Sequence, residues 1–202
     1  MSFRKEKKYR LSVNEFFLIK KTLISKGMIK LYDTRKVNSI YFDNFSYDMF
    51  NQSEEGVVPR KKVRIRWYEN KNNFTLEKKI SGIEGRFKTT KVLMNFTNVN
   101  DLLKTNFFDK DYGTLYPTLM ISYDREYYSL EKIRITFDSN IQYKNLKISS
   151  LTNYLDPERV VEIKTPIDCG EDFIEKSIPY PISRFSKYSR GILFSQRQLS
   201  EF

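Results

Sequence analysis

The sequence predicts a β-rich α+β fold, on three observations. Aromatic side chains are abundant, with 14 Tyr, 16 Phe and 1 Trp, a composition that favours strands. Several segments alternate apolar and charged residues with period 2, the mark of a strand with one buried face. Helical spacing is confined to a few short stretches between them.

The clearest alternation is Lys62-Val63-Arg64-Ile65-Arg66-Trp67-Tyr68. Val63, Ile65 and Trp67 share one face, and Lys62, Arg64, Arg66 and Tyr68 the other. A polar turn, Asn70 to Asn73, leads into Phe74-Thr75-Leu76-Glu77-Lys78-Lys79-Ile80, which predicts an antiparallel hairpin. Further strands are expected over 3–11, 36–43, 86–94, 117–129, 132–138 and 159–165, with a second hairpin turning at Leu130–Glu131. The first helix is announced by Ser12-Val13-Asn14-Glu15, a capping-box spacing. Phe16, Ile19 and Leu23 follow on one helical face, and Gly27 is placed to stop it. Asn44 is expected to cap a short helix holding Tyr47 and Phe50, and Asn98 another around Leu102. Helices are also expected over 171–176 and 183–198. No internal repeat or linker interrupts the 202 residues, so one domain spanning 1–202 is expected.

Composition narrows the chemistry. The chain has 36 Lys+Arg, 25 Asp+Glu and no His, for a net charge of +11. Without His, Ser-His-Asp and Cys-His catalysis and His-ligated metals are excluded. The lone Cys169 excludes an internal disulfide and a cysteine-cluster zinc site. A metal must then be a hard cation on carboxylate oxygens, such as Mn2+ or Mg2+. No apolar run reaches half of the ~20 residues that a membrane span needs. The start, MSFRKEKKYRL, is charged where a signal peptide would be apolar, and a cytoplasmic location is expected. The excess of positive charge calls for a polyanionic partner.

The strands share one further property: their second face is ionic, with both signs recurring at period 2. Glu6, Lys8 and Arg10 follow this pattern, as do Arg64 and Arg66, Glu77 and Lys79, Arg86 and Lys88, Arg134 and Asp138, and Glu162 and Lys164. Arg125 lies within another such strand. On a single strand this reads as a solvated face. Across six or more strands, closure would turn the ionic faces inward and remove free edges. A basic interior is costly unless an anion neutralises it, so a channel for a multiply charged phosphate chain is expected.

These residues carry a resemblance. The run Arg4-Lys5-Glu6-Lys7-Lys8-Tyr9, then Ser39-Ile40-Tyr41-Phe42-Asp43, the Arg64-Ile65-Arg66-Trp67 strand and Leu76-Glu77-Lys78-Lys79 come first. Tyr123-Asp124-Arg125, Arg134 to Asp138, Val161-Glu162-Ile163-Lys164 and Phe185-Ser186-Lys187-Tyr188 follow in order. Together they resemble the catalytic domain of the vacuolar transporter chaperone (VTC) family of polyphosphate polymerases, within the triphosphate tunnel metalloenzyme superfamily.

The resemblance implies a closed eight-stranded antiparallel barrel, a triphosphate tunnel with helices packed outside. It implies an ATP-polyphosphate phosphotransferase whose partners are ATP and polyphosphate. Lys8, Arg64, Arg66, Lys79, Arg125, Arg134 and Lys187 would form the catalytic set on phosphates, and Glu162 would hold the metal. Glu6, Arg10, Arg86, Lys88, Lys164 and Tyr188 would complete substrate binding. Phosphoryl transfer needs alignment and charge neutralisation more than covalent chemistry, and an anionic phosphate terminus needs no His base.

One departure matters: related hydrolases begin E-x-E-x-K, whereas this chain has Arg4-x-Glu6-x-Lys8. The first acid is a base here, which favours long polyanions over metal-dependent triphosphate hydrolysis. A triphosphatase on the same tunnel and a non-catalytic binder of polyphosphate or RNA are the alternatives. Against RNA, Trp67 is expected on the face opposite Arg64 and Arg66, away from any base stacking beside them.

Overall fold

A computed structural model describes residues 4–69, 71–83, 85–148, 153–166 and 178–196. Two compact units emerge, one of Met1–Lys36, Tyr123–Ile141 and Leu155–Phe185, the other of Val37–Ser122, Gln142–Tyr154 and Ser186–Phe202. The strands are β1 (Arg4–Leu11), β2 (Ile29–Asp43), β3 (Arg60–Tyr68), β4 (Lys71–Gly82), β5 (Gly85–Leu93), β6 (Phe107–Asp109), β7 (Gly113–Leu130), β8 (Ile133–Asn145), β9 (Tyr154–Leu155) and β10 (Arg159–Pro166). Among the described residues the helices are α1 (Val13–Ser25), α2 (Asp48–Glu55), α3 (Val99–Leu103) and α4 (Lys187–Ser195).

In the first unit, β1 pairs antiparallel with β10, and β10 with β8. The odd-numbered residues of β1, β10 and β8 form the apolar face: Tyr9, Leu11, Val161, Ile163, Ile133, Ile135 and Phe137 are all buried there. Helix α1 covers that face with Phe16, Ile19 and Leu23. Its start is the expected capping box, Ser12 Oγ accepting from Glu15 N at 3.3 Å while Ser12 N donates to Glu15 Oε2 at 2.7 Å. Gly27 takes φ +92 just beyond the helix, a conformation that glycine adopts without strain.

In the second unit, β2, β3, β4 and β5 pair in succession. Ile40, Phe42, Val63, Ile65, Trp67 and Phe74 pack with Met49 of α2 and Leu102 of α3. Trp67 is thus buried edge-on against Phe74, 5.6 Å between centroids, and lies opposite Arg64 and Arg66 as expected. The caps follow the sequence only in part. Asn98 accepts from Asp101 N at 3.0 Å and starts α3. Helix α2 begins after Tyr47 at φ 61, and two side chains serve its first turn: Asn44 Oδ1 accepts from Asp48 N at 3.0 Å, and Asp43 accepts from Met49 N and Phe50 N at 3.0 Å each. In α4, a Cβ on Gly191 would lie 2.6 Å from both Leu119 and Tyr143 side chains, so only glycine allows this approach.

The expected closed barrel is not formed. The hydrogen-bonded order is β1-β10-β8-β7-β2-β3-β4-β5, with β6 on β7 and β9 on β8, and β1 and β5 stand at its ends. Each edge has its own character. Beside β1, Ser183 of the segment before α4 donates from N to Lys8 O at 2.8 Å. Strand β5 carries exposed Arg86, Lys88 and Lys91, and edge charge of this kind discourages strand addition. The same segment explains why α4 starts at Lys187 rather than Ser183. The helix expected over 171–176 and the loop of Cys169 lie outside the described residues.

Candidate functional site

Each unit presents an ionic face, and register decides which charges meet. In the second unit, Tyr41 of β2, Arg64 of β3, Glu77 of β4 and Thr90 of β5 form one cross-strand row. Ser39, Arg66, Thr75 and Val92 form the next. A third row is Lys62, Lys79 and Lys88. Like charges directly opposite one another destabilise a sheet; here Lys88 is offset by Glu77 at 2.6 Å, and Lys62 donates to Ser186 Oγ at 2.8 Å.

Glu77 is the carboxylate at the centre, its side chain only 6% exposed. Its Oε2 accepts from Arg64 Nε at 2.7 Å, and its Oε1 from Lys88 Nζ at 2.6 Å, while Arg66 lies 3.9 Å away. Burial opposes ionisation of Glu77, but Arg64, Arg66 and Lys88 outweigh it and bring its pKa from the ordinary 4.5 to about 2. Arg64 also donates from Nη1 to Tyr41 Oη at 2.7 Å. Tyr41 in turn stacks on Tyr188, 5.0 Å between centroids, and Tyr188 donates to Asp43 Oδ2 at 2.6 Å. The guanidinium of Arg64 is therefore gripped from two sides, with Nε and Nη2 on Glu77 and Nη1 on Tyr41.

In the first unit the rows are Glu6–Lys164–Arg134, Lys8–Glu162–Thr136 and Arg10–Val160–Asp138. Lys164 lies 3.0 Å from Glu162 and 3.8 Å from Glu6, and Lys8 3.1 Å from Glu6. Burial opposes ionisation of Glu162, yet Arg125, Lys164 and Lys8 hold its carboxyl well below the usual range. Glu6 is lowered as well, Lys8 and Lys164 overcoming both burial and Glu162. Arg125 donates to both oxygens of the fully buried Asp138, at 2.6 and 2.7 Å. This bidentate pair fixes the guanidinium.

Of the expected site residues, Arg64 and Arg66 come together with Lys88 around Glu77, and Glu6, Lys8 and Lys164 with Glu162. Lys79 and Arg86 are exposed on the same face of β4 and β5. Arg134 is exposed and lies over the Tyr127 ring, 5.5 Å from its centroid. Arg10 is paired with Glu158 at 2.7 Å. Lys187 is half-buried at the start of α4, next to Ser186, whose Oγ accepts from Lys62 at 2.8 Å. Tyr188, expected on substrate, is 1% exposed with its hydroxyl committed to Asp43, so it positions Tyr41 and Arg64 from behind.

Two buried hydroxyls on the ionic faces, Ser39 Oγ and Thr136 Oγ1, make no hydrogen bond. Orphaned buried polar atoms are rare in folded proteins and suit a site that takes a polar ligand. Among the described residues no group of three or more His, Cys, Asp or Glu side chains could by itself hold a metal ion. Glu162 with Glu6 does fit a hard cation that draws its remaining ligands from phosphate and water.

The VTC domain family model matches residues 3–113 and 106–195. The chain belongs to the VTC domain family. No curated protein matches this VTC domain in sequence. Solved structures share its fold at low identity. A candidate adenylate cyclase from Bacillus halodurans is 18% identical, with a TM-score of 0.58 over 92% of this chain and 94% of its own. A candidate adenylyl cyclase from Hippeastrum, reported to have a dominant triphosphatase activity, is 18% identical, with a TM-score of 0.55 over 98% of both chains. A conserved hypothetical protein from Pyrococcus furiosus is 14% identical, with a TM-score of 0.56 over 92% and 99%. At this identity the likeness is one of fold. Among the described residues no helix is long and apolar enough to cross a membrane.

The sequence does not say which residues of this VTC domain hold its arginines. Tyr41 holds Arg64, and Asp138, on an ionic face with Arg134 as expected, is the fixed partner of Arg125. Arg35 passes unnoticed because the first half of β2 is exposed and shows no apolar alternation.

The pairing of Glu77 and Glu162 predicts an acid transition. Both carboxyls are lowered in the folded state, so the stability they contribute is complete above about pH 4.5 and is lost as pH falls through their folded pKa values. For Glu77 the shift corresponds to about 3 kcal/mol. Melting midpoints are expected to hold down to about pH 5 and then to fall steeply. The Glu77→Gln variant should show a shallower acid fall than the parent. Equal slopes would remove Glu77 from the account.

Proposed function

We propose that this VTC domain is a divalent-metal-dependent ATP-polyphosphate phosphotransferase, which adds the terminal phosphate of ATP to a polyphosphate chain and releases ADP. The observation that carries the reading is the Lys62–Lys79–Lys88 row beside Arg64 and Arg66, within a chain that the VTC family model matches almost throughout. Lysines directly opposite one another across strands repel, and a phosphate chain laid along the row offers oxygens to each of them.

The residues divide the work by chemistry. Arg64 and Arg66 act as forks on phosphate oxygens, and Lys8, Lys62, Lys79, Lys164 and Lys187 as point charges. Arg125 and Arg134 extend the cationic face around Glu162, and Arg10, Arg86 and Lys88 add positive charge beside these sets. Glu77 and Asp138 hold guanidinium groups in place before substrate arrives, so little reorganisation is needed when charge develops. Glu162, assisted by Glu6, would hold Mn2+ or Mg2+, which when bound neutralises charge on the transferring phosphoryl group. The attacking terminus is already an anion and needs no general base.

Triphosphate hydrolysis is the second reading. It is favoured by the proximity of Glu6 and Glu162, which share Lys8 and Lys164, and by the activity reported for the Hippeastrum neighbour. Incubation with ATP and Mn2+, followed by separation of polyphosphate, free phosphate and ADP, distinguishes the two. Phosphotransfer yields chains and ADP in step. Free phosphate with ADP and no chains would establish hydrolysis, and no turnover would leave a binder of phosphate chains.

A further inference from the structure

An aromatic–guanidinium cluster in the first unit lies outside every role assigned above. Arg35 of β2 places its guanidinium 4.6 Å from the Tyr32 ring centroid and 5.4 Å from that of Tyr127. Tyr32 and Tyr127 meet edge to face at 5.7 Å. Arg134 lies over Tyr127 as well, at 5.5 Å, so a single ring links both arginines. Tyr127 is buried, 3% exposed, whereas Tyr32 is 50% exposed. The cluster thus joins a buried ring, Tyr127, to an exposed one, Tyr32, with the Arg35 guanidinium against both.

Its position gives it a chemical direction. Arg134 pairs in register with Lys164, and Lys164 reaches both Glu162 and Glu6. A path of contacts therefore runs from an open aromatic surface, through an exposed arginine, to the carboxylates fitted for a phosphate-bound cation. A nucleoside triphosphate has the same order of parts: a flat base, then anionic phosphates, then the metal-chelating end. Guanidinium planes and tyrosine rings both stack on nucleobases, whichever base is offered, because every base has a π face.

We infer that Tyr32 and Arg35 form a nucleobase subsite, with Arg134 taking a phosphate of the same nucleotide. This rests on the phosphotransferase reading in that the donor is a nucleoside triphosphate bound on the first unit's ionic face. The subsite stacks a base without reading its hydrogen-bonding edge. It therefore separates nucleotides from inorganic phosphate chains, and discriminates little among ATP, GTP and CTP.

The test uses the full chain and compares two probes by calorimetric titration, ATP and inorganic tripolyphosphate, at one ionic strength. The Tyr32→Ala variant should bind ATP roughly five- to tenfold more weakly, the scale of one lost aromatic–base stack, and bind tripolyphosphate as the parent does. The Tyr32→Phe variant should restore ATP binding, because the ring and not the hydroxyl is used. Equal loss for both probes would make Tyr32 structural, and no loss for either would leave the base elsewhere; each result overturns the subsite. Parent protein that binds a triphosphate-free oligonucleotide as tightly as ATP would overturn it too. Failure of the phosphotransferase reading looks different: ATP is bound in preference through Tyr32, but no polyphosphate forms. Parent protein that binds neither probe contradicts both.

Discussion

Alanine at Arg64 or at Arg66 is expected to reduce phosphoryl transfer by ~10²–10³, the usual cost of one preorganised donor aimed at developing charge. Arg64 is the stronger case. Glu77 and Tyr41 hold it from two sides, so its guanidinium plane is fixed before substrate arrives. The fold should survive. In the Arg64→Ala variant Glu77 keeps Lys88 at 2.6 Å and Arg66 at 3.9 Å. Its charge is therefore not stranded, and the cost stays below the ~3–5 kcal/mol of breaking a buried ion pair outright. Turnover measured at saturating ATP, beside a melting curve, separates the two effects. Near-normal turnover in both variants would refute the assignment.

The Glu162→Gln variant is expected to lose metal-dependent turnover by at least ~100-fold, because it removes the carboxylate best placed for a hard cation. Metal-free binding of tripolyphosphate should move the other way. Glu162 stands among Lys8, Lys164 and Arg125, and neutralising it removes a repulsive charge from the path of a phosphate chain. The diagnostic result is divergence, with weaker metal dependence and equal or tighter metal-free binding. Unchanged Mn2+ dependence would transfer the ligand role to Glu6.

The limits of the sequence lie where contacts between distant segments decide the outcome. The β3–β4 hairpin, α1 with its capping box and α3 are legible because each is local: alternation, a polar turn and a cap are written within a few residues. The two-faced strands are legible for the same reason. The edges are not, because nothing local says that Ser183 will donate its N–H to the distant Lys8 O of β1. The beginning of β2 escapes prediction because a long exposed strand needs no apolar alternation. Among candidate site residues, parity gives the face but not the neighbour. Arg64 and Glu77 are thirteen positions apart, and their meeting depends on turn length. Tyr188 shows the converse error: a motif residue beside Lys187 is turned inward by α4 and spends its hydroxyl on Asp43.

The central claim is that the ionic faces exist to bind a phosphate chain, and thermal melting against chain length tests it most directly. Phosphate, pyrophosphate, tripolyphosphate and longer polyphosphates are compared at one ionic strength, with sulfate as control. Crowded lysines and arginines store repulsion in the free protein, and a long polyanion relieves many contacts at once, which the unfolded chain cannot match. Ligand at one hundredfold its Kd stabilises by about 2.7 kcal/mol, a rise of roughly 5–11 °C for a domain of this size. The account predicts a midpoint that climbs with chain length and responds little to sulfate. A midpoint indifferent to chain length, or one that sulfate raises equally, would contradict it.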